Sequence, residues 1–337
     1  MHTQLDQSFS ALSLGDLGVI ESVSKCLSPR LEELRGRKII FSRDDKKLVP
    51  VDGWGLRSGL QHAAVNTIRP IKERMIVAAV DSSSVKIAET EDGCLYGVKC
   101  GIATAINGRA LMHFRIGPVL FYLSEGMTRQ SELDDRLASA VLLDDELAKR
   151  LVRVRAERAV QNELASHFHD SMMLVDGSLK ASLFEDRERS MRKISESCLL
   201  HRNIMIGVSK GTKLKPLQRA AAPLLHVPGP AYIEVDAIVK SLIRNTIGAN
   251  VMVRLEASSP VLRADIIGAN NGESLGRLLG NDLLACGYPE TLRLAHYIST
   301  FTATEMTCLR SHVLNNYQVT ELASDDLRRT LLGSISV

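Results

Sequence analysis

Three features of the chain predict an α/β fold, a mixed sheet flanked by helices. Short apolar runs such as Met75–Val80, Met172–Val175 and Asn203–Ser209 are too brief for helices and read as buried strands. A hairpin-rich stretch comes first, and strand–helix alternation follows it. The 337 residues are 45% hydrophobic, enough to cover both faces of such a sheet.

Residues from about 5 to 36 read as mainly helix, because Leu14, Leu17, Ile20, Val23, Leu27 and Leu31 recur at helical spacing. Pro29 breaks or restarts that helix. Pro50–Gly55 is a loop, and 56–73 reads as a further helix interrupted near Pro70. Met75–Asp81 is the first strand. Ser84–Thr90 alternates weakly, and Glu91-Asp92-Gly93 signals a turn. Leu95–Ile106 is a long strand and Arg109–Gly117 returns beside it. Asn107-Gly108 between them predicts a type I′ hairpin, since both residues tolerate positive φ.

Residues 130–168 read as one long helix or two in series. Met172–Val175 is the next strand, 182–199 a charged helix, and Asn203–Ser209 another strand. Residues 211–230, with four prolines and a basic cluster, read as loop. Tyr232–Ile238, Val251–Leu255 and Val261–Ile267 are further strands. The tail reads as helices over 275–285, 289–299, 303–315 and 323–332. The expected division is a mainly helical N-terminal appendage (1–72), a core (73–300) and a C-terminal helical segment (301–337). Antiparallel strands, then helix, strand, helix and strand, make the ribonuclease-H-like order. That arrangement takes its carboxylates from the first strand, the following helix and the fourth strand.

A formal net charge of only +3 confines any anion-binding surface to a local patch. The six cysteines form no CxxC pair, which excludes zinc-ribbon and thioredoxin-like readings and fits reduced packing residues. The N-terminus lacks the pattern of a signal peptide, and no run approaches the roughly 18 apolar residues of a membrane span. A soluble, cytoplasmic protein is expected.

Asp81 and Asp176 each close an almost wholly apolar run. A carboxylate where a buried strand surfaces is held rigidly in a partly dry place. Two of them on neighbouring strands repel, and a divalent cation is the usual remedy. Either aspartate alone reads equally as a helix cap or Asx-turn. The helix between them offers Glu157 or Glu163 as a third carboxylate. Glu157 falls in line with Val160, Leu164 and Phe168, while Arg155, Arg158 and Asn162 define the polar side. A glutamate on an apolar face needs a metal or a partner, and Arg153 is a possible partner. His296 falls on the helix that follows Gly287-Tyr288-Pro289, where it is either a packed residue or a neutral ligand and proton carrier. Lys210 opens Lys210-Gly211-Thr212-Lys213-Leu214-Lys215, which lacks the order of a phosphate-binding P-loop. These lysines either cradle a nucleic-acid backbone or form a solvated basic loop.

The stretches Ala78-Ala79-Val80-Asp81-Ser82-Ser83, Leu174-Val175-Asp176-Gly177-Ser178-Leu179, Ile206-Gly207-Val208-Ser209-Lys210, Val261-Leu262-Arg263-Ala264-Asp265 and Gly287-Tyr288-Pro289 with Ala295-His296 resemble, in this order, those of the NurA nucleases. Ser82 stands where that family often has glycine. The resemblance implies a ribonuclease-H-like core that degrades DNA with Mn²⁺, Mg²⁺ being an alternative. It implies 5′–3′ exonuclease and single-strand endonuclease activity in end resection and double-strand-break repair. It also implies a homodimer that works with HerA, a hexameric ATPase. By position, Asp81, Glu157 and Asp176 match the family's metal carboxylates and His296 its histidine. A catalytically silent nucleic-acid-binding or scaffold protein on the same fold is the alternative. A sugar-kinase-like ATPase would need glycine-rich phosphate loops, which are not evident.

Overall fold

One long strand, Ile76–Glu89, organises the molecule. A computed structural model describes residues 31–36, 38–41, 64–126, 133, 135–211, 214–243, 245–268 and 270–322. In chain order the first strands are β1 (Lys38–Phe41), β2 (Val65–Thr67), β3 (Ile76–Glu89), β4 (Gly93–Ile106) and β5 (Arg109–Ser124). β3, β4 and β5 form the expected antiparallel meander. Asn107 and Gly108 carry φ of 50° and 69°, the left-handed pair that a type I′ turn demands.

β3 runs through what reads in the sequence as a strand end. Asp81 therefore lies in mid-strand, paired in register with Gly101 of β4. The serines after it do not turn the chain, because their hydroxyls find helix carbonyls. Ser83 Oγ donates to the Ser299 carbonyl, and Ser84 Oγ to that of Lys149 at 2.8 Å.

Next come α1 (Asp135–Leu143) and α2 (Asp145–His167), two helices in series. Asp144 separates them and caps the second, accepting from the Glu146 and Leu147 amides. β6 (Met172–Asp176), α3 (Met191–Leu200) and β7 (Ile204–Ser209) follow. The helix expected over 182–199 is confined to its second half, begun by the Ser190 cap. The segment before it lies over α2 and covers the side expected to be polar. Arg155 Nε donates to the Phe184 carbonyl (3.3 Å), Arg158 Nε to Glu185 Oε1 (2.8 Å), and both arginines are buried.

The chain continues with α4 (Lys215–Ala221), β8 (Ala231–Glu234), α5 (Asp236–Leu242), β9 (Ala249–Arg254) and β10 (Leu262–Ile267). The stretch expected as loop thus holds α4 and a 3₁₀ turn, Ala222–His226. Pro216 and Pro223 sit in the first turns of these elements, where no amide partner is lost. The strand expected to reach Ile238 stops at Glu234, and α5 starts instead. The tail contributes α6 (Asn271–Asn281), the short hairpin β11 (Leu284–Ala285) and β12 (Tyr288–Pro289), α7 (Glu290–Ser299), α8 (Ala303–Asn316) and β13 (Thr320–Glu321). The helix expected over 275–285 therefore ends early.

The described residues form an eleven-stranded mixed sheet in the order β13-β1-β3-β6-β7-β10-β9-β8-β2, with β4 and β5 extending from the other flank of β3. Residues 64–73, expected as helix, instead carry β2, and β1 also joins this sheet. The helices expected before residue 31 and over 323–332 lie outside the described residues, as does the loop at 50–55. β6 runs parallel to β3 from Val77↔Met172 to Val80↔Val175, and β1 meets β3 at Ala88 and Glu89. On that flank residues 81–87 of β3 have no strand beside them among the described residues.

The period of two divides β3 between layers. Ala78 and Val80 pack with α2 and α3; Val77 and Ala79 pack with α6 and α7. The five described cysteines are free thiols. Among the described residues no helix is long and apolar enough to cross a membrane.

Candidate metal centre

Asp81 faces the α7 layer at the point where its parallel neighbour β6 ends. A Cβ on Gly101, its partner across the ladder, would overlap the Ala295 carbonyl oxygen and lie 2.8 Å from the Ser299 amide nitrogen. Glycine therefore lets α7 lie directly on the sheet. At this separation His296 Nδ1 is 2.7 Å from Asp81 Oδ2, and Ser299 Oγ donates to the same oxygen at 3.1 Å.

Asp176 ends β6 beside it. Tyr288 Oη donates to Asp176 Oδ1 at 3.1 Å, and Lys210 Nζ donates to Oδ2 at 2.7 Å. The Lys210 ammonium also lies 5.4 Å from the centre of the Tyr288 ring. Burial and the nearby Asp176 charge push the Tyr288 phenol well above its usual range, so it stays a neutral donor. The turn after Asp176 is pinned from below. Gly177 takes φ of 110°, and the Leu179 amide donates to Asp265 at 3.0 Å. Asp265 is fully buried and held by Arg263 at 2.9 and 3.0 Å. Burial lifts its carboxyl to about 6 against the pull of Arg263.

One ligand atom each from Asp81, Asp176 and His296 lies within 4.8 Å of the others. Two carboxylates and an imidazole in a partly open place suit Mn²⁺ or Mg²⁺ better than a thiolate-seeking metal. The donor set thus fits such an ion.

Glu157 stands apart from this trio. It approaches from the α2 layer, where Ser82 Oγ donates to its Oε2 at 2.7 Å. Gln161 Nε2 donates to its Oε1 at 3.0 Å, and Arg158 Nη1 lies 3.4 Å from the same oxygen. Burial pushes the Glu157 carboxyl up; Arg158 and the Ser82 hydroxyl hold it back, while the Asp81 charge adds to the rise. Glu163 instead lies 3.8 Å from His167 near the far end of α2. Of the predicted basic residues, Lys210 reaches the centre, Lys213 lies outside the described residues, and Lys215 opens α4.

Tyr288 and Ser299 escape the reading of the sequence as site residues. Gly287-Tyr288-Pro289 reads there as a helix start and as one of the family-like stretches, with no role given to the Tyr288 hydroxyl, although aromatic hydroxyls seek partners when buried. Ser299 lies one turn after His296, a spacing that places both on one face.

The NurA domain family model matches residues 75–246, just over half of the chain. The chain belongs to the NurA family. The span matched to the NurA domain holds Asp81, Glu157, Asp176 and Lys210, whereas Tyr288, His296 and Ser299 lie beyond it. Among solved structures, the NurA nuclease of Sulfolobus solfataricus is similar at 15% identity over 93% of this chain and 96% of that one, with a TM-score of 0.44. A NurA bound to dAMP and manganese is similar at 11% identity over 77% and 91%, with a TM-score of 0.47. An endonuclease V of Ciona intestinalis, in complex with inosine-containing DNA, is similar at 13% identity over 72% and 92%, with a TM-score of 0.38. No curated protein matches this NurA chain.

Proposed function

We propose that this NurA chain is a metal-dependent deoxyribonuclease, with Mn²⁺ as its ion and Mg²⁺ as a substitute. The observation that carries this reading is the convergence of Asp81, Asp176 and His296 from two adjacent strands and α7. In this reading these three side chains hold the ion and Glu157 is the further carboxylate, poised behind Ser82. A bound divalent ion supplies an activated water and charge neutralisation for phosphodiester hydrolysis.

The chain's own groups position the rest. Ser299 fixes Asp81; Tyr288 and Lys210 fix Asp176. With its Nδ1 engaged by Asp81, His296 keeps its other ring nitrogen for a proton or the ion. In this reading Lys210 would neutralise the phosphate, and Lys213 and Lys215, which follow it in sequence, would contact the DNA backbone. Family membership further supports 5′–3′ exonuclease and single-strand endonuclease activity in DNA end resection and break repair. It also supports a cytoplasmic homodimer that works with a HerA-type hexameric ATPase.

The test is cleavage of end-labelled DNA with Mn²⁺, Mg²⁺ or chelator. Cleavage with Mn²⁺ and none with chelator is expected; equal cleavage in all three, or none in any, would remove this reading. A catalytically silent DNA-binding protein is the second reading. The Lys210–Asp176 pair favours it, because that pair satisfies the carboxylate without an ion. Binding without cleavage in the same assay would establish it.

A further inference from the structure

Beside the metal centre a cleft of about 1040 Å³ opens between the β4–β5 hairpin and the junction of α7 with α8. Such a volume lies at the upper end for small-molecule sites and suits a segment of polymer. His296 belongs to its lining, so the cleft adjoins the centre through that side chain.

Cations outnumber the acid in its lining, with Lys99, Arg115 and Arg293 against Glu305. His113, Arg115 and Arg293 line it and are exposed. Arg293 is held in a fork by Glu290 at 2.7 and 3.0 Å, which fixes the guanidinium at the rim. Glu305 is the acidic residue of the lining, and it is already committed. Lys99 Nζ lies 2.9 Å from it and Arg115 Nη1 2.7 Å. Lys99 is only 2% exposed and also donates to the Thr300 carbonyl at 2.6 Å, which locks the α7–α8 junction onto β4.

Tyr297 is the next residue after His296, and 80% of it is exposed in this cleft. Arg293, His296 and Tyr297 share one face of α7, at spacings of three and four. An open aromatic ring among cations next to a phosphodiester centre matches what a single strand needs: a platform for a base and charges for its backbone.

We infer that this cleft holds an unpaired DNA strand as it leaves the metal centre, with Tyr297 stacked on a base and Arg115 and Arg293 on phosphates. Inside a duplex both faces of a base are occupied by its neighbours, so away from duplex ends the platform selects unpaired strands. This inference rests on the nuclease reading above.

The test is fluorescence anisotropy of labelled oligo-dT and of a blunt duplex with the full chain in chelator, over a salt series. Tyr297→Ala is expected to weaken oligo-dT binding about tenfold, leave its salt slope unchanged and spare the duplex. Tyr297→Phe is expected to restore binding. Arg115→Ala and Arg293→Ala are each expected to lower the slope by about 0.7. If the wild-type protein cleaves DNA but Tyr297→Ala binds both DNAs as before, or loses both equally, the cleft is not the strand path and the nuclease reading stands. If the wild-type protein neither binds nor cleaves DNA, the nuclease reading falls and takes the cleft with it.

Discussion

Asp81 and Ser82 are neighbours on β3 and address opposite faces of the sheet. Asp81 meets His296 and Ser299 on α7, while Ser82 meets Glu157 on α2. Alternation along a strand dictates this split. The acidic groups are therefore gathered from two layers, at the stretch of β3 that no longer has β6 at its side.

Asp81→Asn and Asp176→Asn keep the size of the side chain and remove its charge. Each is expected to reduce Mn²⁺-dependent cleavage by about a hundredfold or more, with an unchanged circular dichroism spectrum. Near wild-type turnover in either variant would show that the ion is held elsewhere.

Glu157→Gln keeps the size of the side chain and one of its two acceptor oxygens, and the Ser82 hydroxyl can rotate to accept from the new amide, so the fold should tolerate it. It is expected to lose most activity, whereas Glu163→Gln, whose carboxylate lies beside His167 away from the centre, is expected to lose little. Steady-state cleavage rates of the two variants decide the matter. The reverse ranking would return Glu157 to a purely structural role.

Lys210 competes with any cation for Asp176. In Lys210→Met the carboxylate is freed, and Mn²⁺ is expected to bind DNA-free protein up to about fivefold more tightly. Cleavage is nonetheless expected to fall, because the phosphate loses its cation. Calorimetric titration with Mn²⁺ reads the first effect and a cleavage assay the second; weaker Mn²⁺ binding would show that Lys210 supports the centre rather than guarding it.

Asp282 offers a pH signature away from the centre. It is buried and accepts from Thr291 Oγ1 at 2.6 Å, and burial lifts its carboxyl to about 6 despite these bonds. A carboxyl raised on folding binds more protons in the native state than in the unfolded one. Its contribution is complete below about pH 4 and is lost as pH rises through about 6. Between these limits the wild-type protein is expected to lose about 2–3 kcal/mol relative to Asp282→Asn. Urea unfolding of both proteins across that range measures it; parallel curves would place the titration elsewhere.

Much of this architecture was legible in the chain. The Asn107-Gly108 turn, the paired helices before β6, and the two aspartates carried by buried strands follow from local chemistry. The length of β3 did not, since Ser82-Ser83-Ser84 is turn-like by composition. Ser84 and Ser83 find their partners 65 and 216 residues away, which no local pattern reveals. The burial of Arg155 and Arg158 was hidden for the same reason, because their cover comes from Phe184 and Glu185. Glu157 could be preferred over Glu163 from helical phase alone, but its place behind Ser82 required the sheet.

Gly101 sets how near α7 comes to β4, and through it how near His296 comes to Asp81. The spacing of the centre is governed by a methyl group that is missing two strands away from Asp176. A side chain there would press on Ala295, Ile298 and Ser299 of α7 and wedge the layers apart. The resulting protein would retain every functional side chain and lack the site. An inventory of such side chains, however complete, therefore says nothing about whether a NurA chain is competent unless the residue facing its first aspartate is read with them.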